Sequence, residues 1–104
     1  MSFKRLIPCI FITGGKAVKW FHDKTVVSED VISLAKYYSE HGADELLVFD
    51  LSETDDDHDE AIDLMRRINR VIRIPMVAGG NIRRQEDVKK VLYAGAKRAF
   101  INFS

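Results

Sequence analysis

The sequence is poor in the features that would place it in several special classes of protein. Its 104 residues include one cysteine, Cys9, which excludes an intramolecular disulfide. It has no signal-like N-terminus and no run of about 18 apolar residues, the length that crosses a bilayer. We therefore expect a cytoplasmic protein that has no membrane partner.

The sequence also lacks an excess of charge of either sign. Its 16 Lys and Arg residues balance its 16 Asp and Glu residues. Because nucleic acids attract basic surfaces, this balance predicts no nucleic-acid partner. What is present is an ordinary globular composition, 46% hydrophobic and 10% aromatic, which suffices for one core. We expect a single domain over residues 1–104.

Apolar segments and helical patterns alternate along the chain. Residues 6–12, 45–50, 74–78 and 98–103 predict buried strands. Helical patterns lie between the last three strands, and another begins after Ser28 as the predicted N-cap and ends at Gly42. The clearest helix has its apolar residues spaced regularly over residues 61–72, and Gly95 closes the last one.

The residues between the first strand and the first helix form no helical pattern. Residues 17–21 predict a short extended return, and residues 22–25 a polar loop. The overall order, β-α-β-α-β-α-β with short connections, selects a parallel sheet with right-handed crossovers. No helix pattern follows the last strand, so we expect part of a larger barrel.

The stretch Met-Val-Ala-Gly-Gly-Asn-Ile at residues 76–82 is the main candidate for a binding site. Gly79 and Gly80 permit a tight turn and close ligand approach, and the next helix begins with unpaired N–H groups. We predict that these glycines bind phosphate together with Asn81, and that Asn102 after the next strand shares the same phosphate. The alternative is two unconnected turns.

Two further side chains are candidates on chemical grounds. Asp50 ends the second strand and is predicted to act as a general acid/base or to hold a substrate hydroxyl, the alternative being a carboxylate that caps a turn. Lys19 is a candidate phosphate contact, the alternative being a solvated lysine. Cys9 is interpreted as a packed thiol rather than a nucleophile.

The acidic run at residues 53–60, which contains His58, superficially resembles a metal site. It lacks the ligand spacing and the glycine of a calcium loop, and carboxylates are expected at a helix N-terminus. We therefore predict no metal and no cofactor.

Four stretches in register resemble the cyclase subunit of imidazole glycerol phosphate synthase. They are Lys-Arg-Leu-Ile-Pro-Cys at 4–9, Gly-Lys-x-Val-Lys at 15–19, Tyr-Ser-Glu-His-Gly-Ala-Asp-Glu-Leu at 38–46 and Val-Ala-Gly-Gly-Asn-Ile at 77–82. The sister isomerase of histidine biosynthesis is similar but more distant. The resemblance covers the whole chain and the first half of that family's (βα)8 barrel.

The resemblance implies a barrel in which each half contributes one phosphate site. Gly80, Asn81 and Asn102 fall on the phosphate-site positions of the first half, although Asn81 replaces a usual glycine. Asp50 matches an active-site aspartate at the end of the second strand. The catalytic aspartate expected at the end of the first strand is replaced here by Phe11.

Further departures concern the same reaction. Gly14 stands where the family has a second aspartate, and the partner catalytic aspartate belongs to a fifth strand that this chain lacks. Losing a general acid/base typically costs about 10²–10⁴-fold in rate. Cyclase activity by this chain alone is therefore not expected.

These inferences combine into one hypothesis. We expect an α/β half-barrel of the (βα)4 type that binds phosphate or a phosphosugar, lacks the cyclase machinery, and forms a homodimer or higher homo-oligomer to cover its exposed strand edges. One alternative is a cyclase, which is a lyase, or an isomerase of histidine biosynthesis acting within a larger assembly. Another is a non-catalytic structural or regulatory module.

Overall fold

Residues 4–82 and 85–100 are described in this computed structural model, and they form one sheet with helices against it. In chain order the elements are β1 Cys9–Thr13, β2 Lys16–Trp20, β3 Asp23–Ser28, α1 Val31–Glu40, β4 Leu46–Asp50, α2 Asp55–Val71, β5 Met76–Gly80, α3 Gln85–Tyr93 and β6 Arg98–Ala99. None of these helices is both long enough and apolar enough to cross a bilayer.

The sheet has the order β3-β2-β1-β4-β5-β6. The strands β1, β4, β5 and β6 are parallel neighbours, and the three helices are the crossovers between them. These four strands are the ones that the sequence predicts. The predicted fold class, a mostly parallel α/β sheet that corresponds to half of a (βα)8 barrel, is confirmed.

A hairpin extends the sheet beyond β1. Gly14 and Gly15, with φ of 57° and 74°, form the turn into β2, since a tight hairpin of this kind requires positive φ at both positions. The predicted return over 17–21 is confirmed as β2. The predicted loop over 22–25 is wrong, because β3 begins at Asp23 and pairs antiparallel with β2.

The hairpin also covers part of the outer edge of β1, the first strand of the parallel sheet. The strand β2 pairs with β1 from Phe11 to Thr13. The expectation that the outer edge of the first strand is unpaired is therefore wrong for this half of β1. The reason is that a two-residue turn returns the chain directly alongside the strand it has just left.

One face of the parallel strands packs against the helices. The side chains that alternate onto this face are nearly inaccessible to solvent, and they are Ile10, Ile12, Leu46, Val48, Met76 and Ala78. From α2, Ala61, Met65 and Ile68 complete the layer, which confirms the predicted apolar stripe. The helix begins six residues earlier than that stripe, with Thr54 as its N-cap.

The first helix begins later than predicted. Its N-cap is Asp30 rather than Ser28, because the Asp30 carboxylate accepts a hydrogen bond of 3.0 Å from the Ser33 N–H. Ser28 instead ends β3, and its hydroxyl accepts a 3.1 Å hydrogen bond from the Asp30 N–H. The predicted end at Gly42 is confirmed: this residue follows the C-cap with φ of 91°.

Several predictions for individual residues need correction or fall outside the described chain. Cys9 is exposed rather than packed, since it begins β1, although partial burial raises the pKa of its thiol. The described part of the last strand is β6, and residues 101–103 of the predicted strand lie outside the described residues.

Candidate functional site

The carboxyl ends of β4 and β5 meet at one edge of the sheet, where parallel α/β folds bind ligands. Asp50 and Gly80 are direct partners in the ladder. A pocket of about 210 Å³ opens here. Its lining residues are Phe21, Lys24, Asp50, Leu51, Ser52, Gly80 and Asn81. The structure therefore brings the predicted Asp50, Gly80 and Asn81 together.

The turn after β5 is bonded to the end of β4. Gly80 has φ of 89°, and a Cβ there would overlap the Asp50 backbone. The Asn81 N–H donates to the Asp50 carbonyl oxygen at 2.9 Å. The Asn81 side-chain amide donates to the Ser52 carbonyl oxygen at 3.2 Å and to its hydroxyl oxygen at 3.1 Å. These bonds join residues 50–52 and 80–81 into one wall of the pocket.

Phosphate binding by this turn stays a prediction. The Asn81 N–H and amide both donate to protein oxygens, and the Ile82 N–H donates to the Gly80 carbonyl at 2.8 Å. Gly79 lies within β5 and faces the side of the sheet opposite the helices, where a Cβ would come within 2.9 Å of the Phe49 ring. Asn102, the fourth predicted contact, lies outside the described residues.

The Asp50 carboxylate lies behind the pocket wall. It alternates with Leu46 and Val48 onto the helix-facing side, and its side chain is 1% exposed. One carboxylate oxygen accepts the Ser52 N–H at 2.9 Å, which is the turn-capping alternative raised for this residue. The other oxygen is 2.5 Å from His58 Nδ1. Catalysis by Asp50 stays a prediction.

His58 and Asp87 were both missed as candidate residues by sequence reasoning. His58 is 8% exposed, and its Nε2 is 3.4 Å from an Asp87 carboxylate oxygen. Asp87, on α3, is 4% exposed. A signal was available for His58: it precedes Ala61, Ile62 and Met65 by three, four and seven residues, so it lies on the buried face of α2.

Two of the hairpin lysines, Lys19 and Lys24, differ in position. Lys19 is 68% exposed, with its Nζ 3.9 Å from the Asp23 carboxylate, and it does not line the pocket. This is the solvated alternative, so its phosphate contact stays a prediction. Lys24 lines the pocket instead. Only the pairing of β3 with β2 brings Lys24 there, and no local sequence pattern indicates it.

Aromatic rings cover the face of the sheet opposite the helices. The Phe11 ring stacks on Phe49 at a centroid distance of 5.3 Å and meets Phe21 and Trp20 edge-on at 4.8 and 5.2 Å. Phe11, Trp20, Phe21 and Phe49 are called the aromatic cluster below. The replacement of a catalytic aspartate by Phe11, which the resemblance implies, stays a prediction. Phe11 is itself 5% exposed and cannot transfer a proton.

The acidic run serves as the start of α2. Asp55, Asp56 and Asp57 occupy its first turn, where negative charge is favoured. Among residues 4–82 and 85–100 there is no group of three His, Cys, Asp or Glu side chains placed to hold a metal ion.

Comparison with known proteins identifies the family to which the chain is similar. Residues 5–104 match the model of a family described as histidine biosynthesis protein. The chain is 38% identical over 105 residues to the imidazole glycerol phosphate synthase subunit HisF of Exiguobacterium sibiricum and 40% identical to that of Flavobacterium psychrophilum. The subunit of Streptococcus sanguinis is 39% identical over 106 residues. The whole chain is covered each time, and it spans about two fifths (42%) of each relative's length.

Proposed function

The chain belongs to the histidine biosynthesis protein family, and from this premise we propose that it is a non-catalytic half-barrel that binds phosphate or a phosphosugar. The site is the pocket at the carboxyl ends of β4 and β5. The observation that carries the proposal is the presence of Lys24 and Ser52 in that pocket beside Gly80 and Asn81.

The pocket wall has the chemistry of an anion site. Lys24 supplies a positive charge, and charge-assisted hydrogen bonds to phosphate are the stronger ones. The Ser52 hydroxyl accepts from the Asn81 amide and still has its own proton to donate. A hydroxyl donor and a lysine that line the same pocket at the edge of a parallel sheet suit one phosphate group.

The aromatic cluster supports the absence of cyclase chemistry. The family resemblance implies a proton-transferring carboxylate at position 11. Here the Phe11 ring is packed on Phe49 within β1 instead. The Asp50 carboxylate is 1% exposed. A buried carboxylate that caps a turn is positioned for structure rather than for contact with a substrate.

Titration with inorganic phosphate and with ribose 5-phosphate, followed by amide NMR, tests the binding. We expect the Ser52, Gly80 and Asn81 signals to shift, and Lys24→Gln to weaken binding about tenfold through the lost charge-assisted bond. Lys36→Gln is the matched control, because Lys36 is an exposed lysine of α1 that pairs with Glu40. Unmoved signals would favour a structural or regulatory module instead.

An activity assay with the cyclase substrate of the family tests the other half of the proposal. We expect no turnover by the wild-type chain. Turnover would instead favour an enzyme, and loss of that turnover in Asp50→Asn would assign the chemistry to Asp50.

We further propose that a second copy of the chain covers the aromatic cluster. Trp20 is 53% exposed on this face, and Phe100, whose ring also lies near Gly79, is 55% exposed. Exposed apolar area of this kind marks an interaction surface, and a two-fold dimer would pair the same patch of both copies. The half of β1 before Phe11 is not paired by β2, which leaves that part of the edge for a strand of the partner copy.

Light scattering at micromolar concentration should show a dimer or larger species. Phe100→Asp should shift the mass toward the monomer, since it places a charge on the covered face. Tyr93→Asp is the control, because Tyr93 is 85% exposed at the end of α3. A wild-type protein that is monomeric at this concentration would contradict the proposal.

A further inference from the structure

One of the residues that line the pocket at the carboxyl ends of β4 and β5 is aromatic. This residue is Phe21, which lies in the loop between β2 and β3 and is half-buried. We propose that Phe21 is a specificity-determining residue, and that the pocket prefers a phosphate monoester that carries a flat aromatic ring. The inference deepens the proposed function and rests on its anion site.

The ring of Phe21 is held in place by the other members of the aromatic cluster. Its centroid lies 4.8 Å from that of Phe11, 5.2 Å from that of Trp20 and 5.3 Å from that of Phe49, each time in an edge-on arrangement. Aromatic pairs favour this arrangement. A side chain fixed in this way loses little further conformational freedom when a ligand packs against it.

The lining of the pocket has a polar part and an apolar part. Lys24 and the Ser52 hydroxyl supply a charge and a donor for a phosphate group. The apolar residues of the same lining are Phe21 and Leu51. Small-molecule sites usually combine apolar surface with a few placed polar groups. The ligand that matches both parts carries an apolar group next to its phosphate.

The other donors of the pocket wall are already bonded within the protein. The backbone N–H groups of Leu51, Ser52 and Asn81 donate to Ile12 and Asp50, and the Asn81 amide donates to Ser52. The Asp50 carboxylate is 1% exposed, so a ligand does not reach it. The hydroxyl groups of a sugar therefore find few donors on this wall, whereas an aromatic ring needs none.

The size of the pocket limits the ligand further. Its volume of about 210 Å³ is below the roughly 300–1,000 Å³ of typical small-molecule sites. A phosphate group and a single ring suit this space better than a nucleotide does. The ligand class is therefore a small aryl phosphate.

Titration of the wild-type chain with three phosphate monoesters, followed by amide NMR, tests the preference. Methyl phosphate has no ring, ribose 5-phosphate has a sugar ring and phenyl phosphate has an aromatic ring. Phenyl phosphate should bind about threefold to tenfold more tightly than either of the others, the range that one aromatic contact contributes. Intermolecular nuclear Overhauser effects should connect the phenyl protons of the ligand with the ring protons of Phe21.

Variants separate the aromatic contact from the packing of the hairpin. Phe21→Leu keeps an apolar side chain and should remove the preference for phenyl phosphate while methyl phosphate still binds. Phe21→Tyr keeps the ring and should keep the preference. Trp20→Leu is the matched control, because Trp20 packs against Phe21 and does not line the pocket. Circular dichroism establishes that each variant is folded, and the wild-type comparison of the three ligands stands if a variant is not.

The outcomes distinguish this inference from the proposed function. If phenyl phosphate binds no more tightly than methyl phosphate or ribose 5-phosphate, or its ring does not contact Phe21, the role of Phe21 is overturned and the anion site is left intact. Equal weakening of methyl and phenyl phosphate in Phe21→Leu would overturn that role as well, since it would assign Phe21 to holding the hairpin. Absence of binding by all three ligands would overturn the anion site and this inference together.

Discussion

The two faces of the sheet are built by the same strands and differ in almost every other respect. In β1, Ile10 and Ile12 face the helices and are each 1% exposed, whereas Phe11 between them faces the opposite side. The helix face is aliphatic and is covered by three helices. The opposite face is aromatic and is covered in part by one hairpin.

The difference shows that the two faces contribute unequally to stability. Branched aliphatic side chains interdigitate densely between helix and sheet, so the helix face supplies the core. Large rings cover more area per residue, so a few of them shield a face that lacks a second layer. Trp20 nevertheless stays exposed on the aromatic face, which is the surface that we propose a second copy covers.

The largest expected effect on stability comes from adding a Cβ at two adjacent glycines, Gly79 and Gly80. The added Cβ atoms would lie on opposite sides of the sheet. In Gly80→Ala the new Cβ would overlap the Asp50 backbone, which cannot move aside, and alanine is strained at the positive φ of this position. We therefore expect a loss of about 3–4 kcal/mol in unfolding free energy. In Gly79→Ala the Cβ meets the Phe49 ring, which can move toward the open side, and we expect about 1 kcal/mol.

Gly42→Ala is the control for backbone conformation alone. Gly42 has φ of 91°, and among the described residues no atom beyond its chain neighbours lies within 4 Å of the place that a Cβ would take. The change should therefore cost about 1 kcal/mol. Urea denaturation measures all three variants. Equal losses for Gly79 and Gly80 would mean that the aromatic face is as rigid as the strand backbone.

A smaller effect compares truncations on the two faces. Ile12→Ala removes a side chain from the dense helix layer, and we expect a loss of about 3 kcal/mol. Phe49→Ala removes a half-buried ring from the aromatic cluster, and the cost should be about 1–2 kcal/mol because that face is only partly covered. The measurement is again urea denaturation, and a larger loss for Phe49 would reverse the assignment of the core.

The smallest expected effect is the loss of stability at low pH, which involves one carboxylate at the helices and another in the hairpin. The hydrogen bond from the Ser33 N–H lowers the pKa of Asp30, which caps α1 on the helix side. The hydrogen bond from the Thr25 hydroxyl lowers the pKa of Asp23 in the hairpin. Each carboxylate therefore stabilises the folded state above its unfolded-state pKa, and this contribution is lost as the pH falls through its lower folded-state pKa.

Two spectroscopic signals separate these groups. Asp30→Asn should reduce the acid dependence of helical circular dichroism, whereas Asp23→Asn should alter only the acid dependence of the fluorescence of Trp20, its partner in the β2·β3 ladder. Both residues are exposed, so we expect small shifts. A change in both signals with either variant would show that hairpin and helix layer respond as one unit.

Much of the fold is predictable because its signals are local. Alternating apolar segments and helical spacing identify the four parallel strands and the stripe of α2. Gly42 and Gly95 identify helix ends, since positive φ favours glycine at those positions. The errors lie where two local signals compete, as at Ser28 and Asp30, which are both good N-cap residues.

The candidate site was only partly predictable, because its contacts are not local. Sequence reasoning identified Asp50, Gly80 and Asn81 from their places after strands. It did not identify His58 or Asp87, since a histidine within an acidic run gives no sign of which carboxylate it will meet. Lys24 was missed for a related reason: its position depends on the register of a hairpin.

The sequence by itself determined the order of the four parallel strands and the three helices, the glycine turn after β5, and the presence of an aromatic ring at position 11. These follow from residue type and spacing along the chain. Only the tertiary structure decided that β2 pairs with the end of β1, that the Asn81 donors bond to β4, and that His58 stands between Asp50 and Asp87. Burial decides such pairings, because charged and polar groups removed from water must take the partners that packing brings within reach.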